Sequence, residues 1–342
     1  MPVKTLTHWA LIGFWSAGVF SVTAQEVGAE KRFTYEKAEM GVPFRVTLYA
    51  TDETDAQKAA EAAFARVSEL NAVLSDYDPE SELCRLSYSS GKGTPIPVSK
   101  DLWNVISFAQ EMSERSKGTF DMTVGPVVQI WRTARRKKEL PDPEKVTSAL
   151  TRVGYRFVKL NKEKQTVELQ QPVMRLDAGG IAKGYAIEEA LNLLKSSGFD
   201  RVMMSGGGDV GVGEPPPGQD GWRIEVPSLD LKDAPKSRFL TLKNAFVSTS
   251  GDTYQYLEKD GKRYSHVIDP RTGMALTNRS LVTVVGLHGM ETETLSKVLS
   301  VGDLNEGMAI VKEKAGAAAH VVRVTDGKIE EKVSPSWKQY EE

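Results

Sequence analysis

The spacing of apolar residues changes along the chain from the period of a β-strand to that of an α-helix. In residues 42–50 every second residue from Val42 onward is apolar, which predicts a strand with one buried face. Apolar residues three and four apart predict a helix over residues 55–74. The same spacing between Leu102 and Met112 predicts a second helix, and Gly118 follows it as a terminator.

The rest of the chain mixes hairpins, short strands and helices. The patterns predict a hairpin over 155–169, a helix over 181–197, short strands at 201–204 and 223–226 around a Gly/Pro-rich loop, a strand over 281–286, two short helices before Gly316, and a hairpin over 320–333. Because strands and helices alternate irregularly, the fold class predicted is α+β rather than a doubly wound parallel sheet.

Composition narrows the class of protein. The chain has 342 residues, 40% of them hydrophobic, with 44 Lys and Arg against 46 Asp and Glu. These proportions exclude a disordered chain, a collagen-like chain and a polytopic membrane protein, and the net charge of −2 gives no basic excess for nucleic acid. The single cysteine, Cys84, excludes an intrachain disulfide and a cysteine-rich metal site.

Residues 1–24 differ in composition from the chain as a whole and are typical of a secretory signal peptide. They contain Lys4, no acidic residue and an apolar run from Trp9 to Phe20, and Val22 and Ala24 have the spacing of a cleavage site. The alternative is an uncleaved membrane anchor, for which the apolar run is short. We therefore expect export, to the periplasm of a bacterium, and a folded region over 25–342, as one domain or two tightly packed subdomains.

Two polar segments have both a structural and a functional interpretation. Residues 74–86, LSDYDPESELCRL, contain Tyr77, and a turn followed by a helix N-cap would also explain them. Residues 120–131, FDMTVGPVVQIW, place Asp121 and Thr123 among apolar residues before Gly-Pro. A strand end or a helix cap is the alternative there.

Two glycine-rich segments are suited to contact with a ligand. In residues 176–185, LDAGGIAKGY, the Gly179–Gly180 turn precedes a helix that carries Lys183, an arrangement that attracts anions. The alternative is a tight turn with a solvated lysine, and the segment is neither a Walker A sequence nor a dinucleotide fingerprint. In SGGGDVGVG the run Gly206, Gly207 and Gly208 would let the backbone pass a flat ligand, although glycine runs are common in loops.

The last segment contains a histidine in a polar setting. Residues 247–273 include Ser250 and, further on, His266 beside Asp269 in the sequence SHVIDPRTG. His288 and His320 lack such neighbours. A solitary histidine is as often structural as functional, so both interpretations stay open.

Taken in order over residues 38–302, these segments resemble the ApbE family, the FAD:protein FMN transferases. The resemblance rests on YDPESEL, FDMTVGP, LDAGGIAKGY, SGGGDVGVG with GWRIEV, and STSGDTYQY with HVIDPRTG. It implies an α+β fold related to the T-fold, with mixed or antiparallel sheets, packed helices and a cleft for FAD, and a divalent ion, usually Mg²⁺, on the pyrophosphate.

The resemblance also implies a reaction. A Ser or Thr hydroxyl of an acceptor protein, in a motif of the type D-x-x-[ST]-G-A-[ST], attacks the phosphorus of the FMN moiety, and AMP leaves. The acceptor would be a membrane or exported redox protein. The implied catalytic residues are His266, as proton acceptor or hydrogen-bond partner, and Asp269. The implied FAD-binding residues are Tyr77, Asp121, Thr123, Lys183, Gly206, Gly207, Gly208 and Ser250, and the implied metal positions are Gly179, Gly180, Glu293 and Lys297.

One segment departs from the family pattern. Where the family has A-D-A-L-S-T, with metal-binding Asp and Thr, this chain reads T-E-T-L-S-K over 292–297. Glu293 still offers carboxylate oxygens, but Lys297 offers only positive charge. The sequence thus raises the hypothesis of FAD binding with little or no use of metal. The alternatives are a local misalignment or an exposed Glu–Lys pair on one helix face.

The departure keeps other functions open. An Mg²⁺-dependent FAD pyrophosphatase would use water in place of the acceptor hydroxyl, and a non-catalytic flavin-binding protein would need neither His266 nor metal. An ordinary flavin oxidoreductase lacks support, because nothing in the sequence suggests a nicotinamide site.

Overall fold

An eight-stranded antiparallel sheet is the frame of the molecule. The computed structural model describes residues 29–231, 233–251, 256–325 and 327–342, so the predicted signal peptide lies outside the described residues. Neighbouring strands of the sheet follow the order β1-β2-β6-β7-β10-β13-β14-β15. The described strands are β1 (Lys31–Glu39), β2 (Val42–Ala50), β3 (Ile96–Pro97), β4 (Val158–Asn161), β5 (Thr166–Leu169), β6 (Val202–Gly206), β7 (Asp209–Val212), β8 (Trp222–Val226), β9 (Arg238–Leu242), β10 (Ala245–Gly251), β11 (Tyr256–Lys259), β12 (Lys262–Ser265), β13 (Ser280–Gly286), β14 (Ala318–Thr325) and β15 (Lys328–Val333).

Helices cover one face of this sheet. The helices of the described ranges are α1 (Glu53–Leu74), α2 (Glu82–Tyr88), α3 (Lys100–Arg115), α4 (Gly125–Lys137), α5 (Pro143–Leu150), α6 (Ala182–Ser196), α7 (Gly289–Val301) and α8 (Leu304–Glu313). Helices α1, α6 and α7 pack side by side on the sheet, and the main hydrophobic core lies between the two layers. Within these ranges no helix has the length and hydropathy needed to cross a bilayer.

The opposite face of the sheet carries a smaller layer. The β8–β9 hairpin and the fully buried Trp337 pack there against Val212 and Val247. A third apolar cluster joins α4 and α5 to the β11–β12 hairpin and the segment after it, through Trp131 and Ile268 among others. Strands β3, β5 and β4 form a separate small sheet.

The structure confirms the α+β class and most of the predicted elements. Strand β2 has the predicted bounds. Its side chains at Phe44, Val46 and Leu48 are fully buried and the intervening ones face the other side, which explains the alternating pattern in the sequence. Strand β1 was not predicted: it is an edge strand, largely exposed, and therefore lacks a continuous apolar stripe. The predicted loop at 205–213 is instead the tight β6–β7 hairpin, with Gly207 and Gly208 at its turn in the left-handed region, φ +61° and +95°.

Two glycines let helices α6 and α7 approach closely. A Cβ placed on Gly184 would lie 2.2 Å from the backbone oxygen of Gly289, and one on Gly289 would lie 2.1 Å from that of Gly184. Any side chain at either position would therefore hold the two helix starts apart. This contact brings the first turns of α6 and α7 together, and their polar residues form the site described below.

Replacement of Gly184 by alanine should push α7 away from α6. We expect the free energy of unfolding, measured in urea, to fall by about 1–3 kcal/mol, the usual cost of overpacking. The control is Asn192→Ala on the exposed face of α6, which should change it by less than about 0.5 kcal/mol. Equal stability of the two variants would contradict the close approach.

Candidate functional site

A cluster of charged side chains lies where α6 and α7 meet the sheet. Lys183, in the first turn of α6, forms an ion pair with Glu293 of α7, and its Nζ atom lies 3.2 Å from an oxygen of Asp209, the first residue of β7. The second oxygen of Glu293 accepts the backbone N–H of Gly184 at 2.8 Å. The cluster therefore joins three elements that are far apart in sequence.

The environment of Lys183 favours its charged form. Burial alone would lower the pKa of Lys183, but Asp209 and Glu293 outweigh it and raise the pKa above its ordinary value. Because Glu293 is fully buried, the charged form of its carboxylate is stabilised by these partners in place of water. The Ser248 hydroxyl donates to the other oxygen of Asp209. Each of the four carboxylate oxygens thus already has a partner.

Lys297 joins the same cluster from one turn further along α7. Its ammonium donates to the Ser250 hydroxyl at 3.1 Å and to the Ser296 hydroxyl at 3.4 Å. Burial, followed by the nearby charge of Lys183, lowers the pKa of Lys297, while Glu293 and Asp209 oppose that shift. A Cβ on Gly180 would lie 3.2 Å from the Lys297 side chain, so the glycine turn lies against this lysine.

Exposed glycines lie in the two segments that contact the half-buried Lys183 and Lys297. Gly179, Gly207 and Gly208 are all exposed. A Cβ on Gly207 would lie 3.1 Å from the stem of Lys183. Gly206 lacks a side chain for a different reason. A Cβ there would lie 2.8 Å from the ring of Phe44 in the core. Backbone can therefore approach a ligand at Gly207 and Gly208, whereas Gly206 serves packing.

A second charged cluster lies at the other end of the glycine turn. Arg132 of α4 pairs with Asp76 and, at 2.9 Å, with Asp177, whose other oxygen accepts the N–H of Gly179 at 2.8 Å. Burial, and then the charge of Asp177, raise the pKa of Asp76 to about 6 against the opposing effect of Arg132. These contacts fix the start of the turn that leads to Lys183.

Tyr77 is the most accessible of the predicted ligand-binding residues. Its side chain is 75% exposed, and the Arg132 guanidinium lies 4.2 Å from its ring centroid. A large aromatic side chain held at the surface by a cation can provide a stacking face for a planar ring. Arg132 and Asp76 were not predicted as site residues, because their pairing across 56 residues of sequence forms only in the folded chain.

Asp121 and Thr123 are buried in the loop before α4, and their hydrogen bonds stay within the protein. One oxygen of Asp121 accepts the N–H and the hydroxyl of Thr123 at 2.8 and 2.7 Å, and the other accepts the N–H of Tyr155 at 2.8 Å. The Thr123 hydroxyl accepts the N–H of Gly154 at 2.7 Å. This network holds the loop in place, and contact of either residue with FAD stays a prediction.

His266 follows β12 directly and is partly buried. The segment after it is held by Asp269, whose carboxylate accepts three hydrogen bonds of 2.9 Å from Arg271. Trp131 of α4 donates to the backbone oxygen of Gly273 at 2.9 Å. Helix α4 therefore anchors the His266 segment through Trp131 and the Asp177 turn through the next residue, Arg132.

The residues at the predicted metal positions do not form a donor set for a divalent cation. Lys297 has no lone pair to offer, and both oxygens of Glu293 accept hydrogen bonds from Lys183 and Gly184. In the described part of the chain no group of three His, Cys, Asp or Glu side chains is placed to hold a metal.

A separate open groove of about 440 Å³ lies between α3, α6 and α7, lined by Tyr185, Glu188 and Met290 among others. None of the predicted site residues lines it. The structure instead brings Lys183, Glu293, Lys297, Ser250, Gly180 and Gly207 together in the charged cluster, and Tyr77, Asp269 and His266 lie in neighbouring segments tied to α4 or to the Asp177 turn.

Comparison with known proteins shows the family of this chain. The sequence model of the ApbE family matches residues 40–321. The FAD:protein FMN transferase of Haemophilus influenzae is 31% identical over 295 residues, covering 84% of each chain, and that of Vibrio cholerae is 30% identical over 284 residues, covering 80% of this chain and 82% of its own. The solved flavin transferase ApbE from Vibrio cholerae has a TM-score of 0.80 at 26% identity, covering 91% of this chain and 99% of that one.

Proposed function

Because this chain belongs to the ApbE family of flavin transferases, we propose that it transfers the FMN moiety of FAD to a Ser or Thr hydroxyl of an acceptor protein and releases AMP. The observation that carries the proposal is the pair of half-buried lysines, Lys183 and Lys297, whose stems lie against the glycine segments at Gly207 and Gly180. Positive charge and accessible backbone N–H groups suit the pyrophosphate of FAD.

The proposed reaction is a phosphoryl transfer. The acceptor oxygen forms a bond to the phosphorus of the FMN moiety, the bond from that phosphorus to the AMP oxygen breaks, and the hydroxyl proton passes to a base. Such a reaction depends on in-line positioning and on neutralised charge more than on covalent chemistry. Lys183 and Lys297 would donate hydrogen bonds to the phosphates, and Tyr77 would offer its exposed ring to a planar part of FAD.

His266 is the proposed base. It is the histidine in the polar segment that the α4 contacts hold beside the Asp177 turn. Asp269 is better placed as a positioning residue, because its carboxylate is engaged by Arg271 and fixes the turn that follows His266. The solved structures similar to this chain include a histidine-to-glycine mutant of the Vibrio cholerae flavin transferase, with a TM-score of 0.81 at 25% identity.

The location and the acceptor are also proposals. Residues 1–24 support export to the periplasm, so the acceptor would be a membrane or exported redox protein with a D-x-x-[ST]-G-A-[ST] motif. An exported flavin transferase would attach FMN after its acceptor has left the cytoplasm.

The test uses a synthetic acceptor peptide with that motif, FAD and the purified chain. We expect the peptide to gain the mass of one FMN phosphoester and AMP to form in equal amount, with no gain on a peptide whose motif hydroxyl residues are alanine. Free FMN and AMP without peptide modification would indicate a pyrophosphatase. Retention of intact FAD without either product would indicate a flavin-binding protein, the alternative favoured by Lys297 at a predicted metal position.

A further inference from the structure

The cluster at the start of α6 and α7 carries its own second cation. We propose that the Lys297 ammonium takes the place of a divalent metal ion, so that this chain binds the pyrophosphate of FAD without metal. The inference rests on the proposed function in one respect, that FAD is the ligand. The inference itself concerns which positive charge lies against the pyrophosphate, the Lys297 ammonium or a divalent metal ion.

The position of Lys297 supports this role. Glu293 and Lys297 are four residues apart on α7 and therefore share one face of the helix, directed toward Lys183 and Ser250. Glu293 is fully buried, so the two are not an exposed pair on a helix surface, as one interpretation of the sequence had it. The contact of Gly180 with the Lys297 side chain places this lysine against the glycine turn.

The charge of the cluster is already balanced. The formal charges of the four groups cancel, because Asp209 and Glu293 are two carboxylates and Lys183 and Lys297 are two amines. A divalent cation would enter a neutral site beside two ammonium groups, and it would have to displace the hydrogen bonds that occupy the carboxylate oxygens. With a neutral residue in place of Lys297 the same site would carry one net negative charge.

A pyrophosphate fits the balanced cluster. Its negative charges would meet the ammonium groups of two half-buried lysines, with the exposed glycines of the adjoining segments nearby. An ammonium has three N–H donors. Among the described residues, the Lys297 ammonium donates to two hydroxyls, those of Ser250 and Ser296. The hydroxyls orient Lys297 without neutralising it, which leaves its charge to the ligand.

The experiment measures FAD binding by titration calorimetry, in EDTA and in excess Mg²⁺, for the natural chain, Lys297→Thr and Lys297→Met. We expect the natural chain to bind FAD equally well, within about twofold, in both buffers. Lys297→Thr should bind about tenfold more weakly or worse in EDTA, because one charged donor is lost, and should recover in Mg²⁺. Lys297→Met, which offers neither charge nor a metal ligand, should bind weakly in both.

A direct titration of Mn²⁺ into the FAD-free protein, followed by electron paramagnetic resonance, gives a second readout that needs no turnover. Lys297→Thr should bind Mn²⁺ and the natural chain should not. Tight Mn²⁺ binding by the natural chain, or an FAD affinity that rises more than about tenfold with Mg²⁺, would overturn the inference and leave the proposed function intact. Failure of the natural chain to bind FAD in either buffer would overturn the proposed function itself. Both decisive results come from the natural chain and do not depend on the variants folding.

Discussion

Replacement of Lys183 by methionine is expected to cost both stability and FAD binding. The variant leaves Glu293, which is fully buried, and Asp209, which is nearly so, without the ammonium that pairs with both. Breaking one side of a buried ion pair costs about 3–5 kcal/mol, and Lys297 would offset part of this. We expect the free energy of unfolding in urea to fall by about 3 kcal/mol and FAD affinity to fall by tenfold or more.

A second variant separates these two effects. In Lys183→Met combined with Glu293→Gln, position 293 no longer carries a buried charge, while Asp209 keeps its own charge beside Ser248, so part of the stability should return while FAD affinity stays low. The matched control is Lys195→Met, near the other end of α6, where the lysine donates to the Asn244 side chain at 3.0 Å, away from the charged cluster. Full FAD affinity in the double variant would remove Lys183 from the proposed binding site.

Replacement of His266 by glutamine should abolish transfer while FAD still binds. If His266 accepts the proton of the attacking hydroxyl, its loss should slow peptide flavinylation about 10²–10⁴-fold. FAD affinity, measured by calorimetry, should change little, because the proposed phosphate contacts lie in the Lys183 cluster. The rate is read from the mass of the modified peptide at saturating FAD.

His288→Gln is the control for this experiment. His288 is exposed at the start of α7, 2.9 Å from Glu188, and it lies outside the proposed machinery. It should transfer FMN at the natural rate. If His266→Gln keeps full activity, or loses FAD affinity in parallel with activity, His266 is a structural residue and another group accepts the proton.

The fold was predictable where burial is one-sided. Strand β2 and helices α1, α3 and α6 each have one face in the core, and this produces a regular apolar period. Strand β13 is buried on both faces and was predicted from its continuous apolar run. Strand β1 and the β11–β12 hairpin are largely exposed, so their sequences carry no comparable signal. Helix α4 has a buried face of Val127, Trp131 and Ala134 at helical spacing, so its sequence carried a signal that the prediction missed.

The glycine segments show how one residue type serves different purposes. Gly184 belongs to LDAGGIAKGY, a segment suited to contact with a ligand. A Cβ at this position would clash with the backbone of Gly289, so Gly184 instead permits the close approach of two helices. Gly206 makes room for Phe44, and only Gly207 and Gly208 form an exposed turn beside Lys183. Sequence shows that a glycine is required, but the neighbouring atoms decide for which reason.

The sequence by itself determined the family resemblance, the α+β class and the presence of a lysine where a metal ligand is expected, because each of these is a property of residue order. Only the tertiary structure decided the charge balance of the site. Asp209, Ser248 and Arg132 acquire their roles from partners 26 or more residues away, and a carboxylate next to an ammonium differs from a solvated one only after folding removes the water between them.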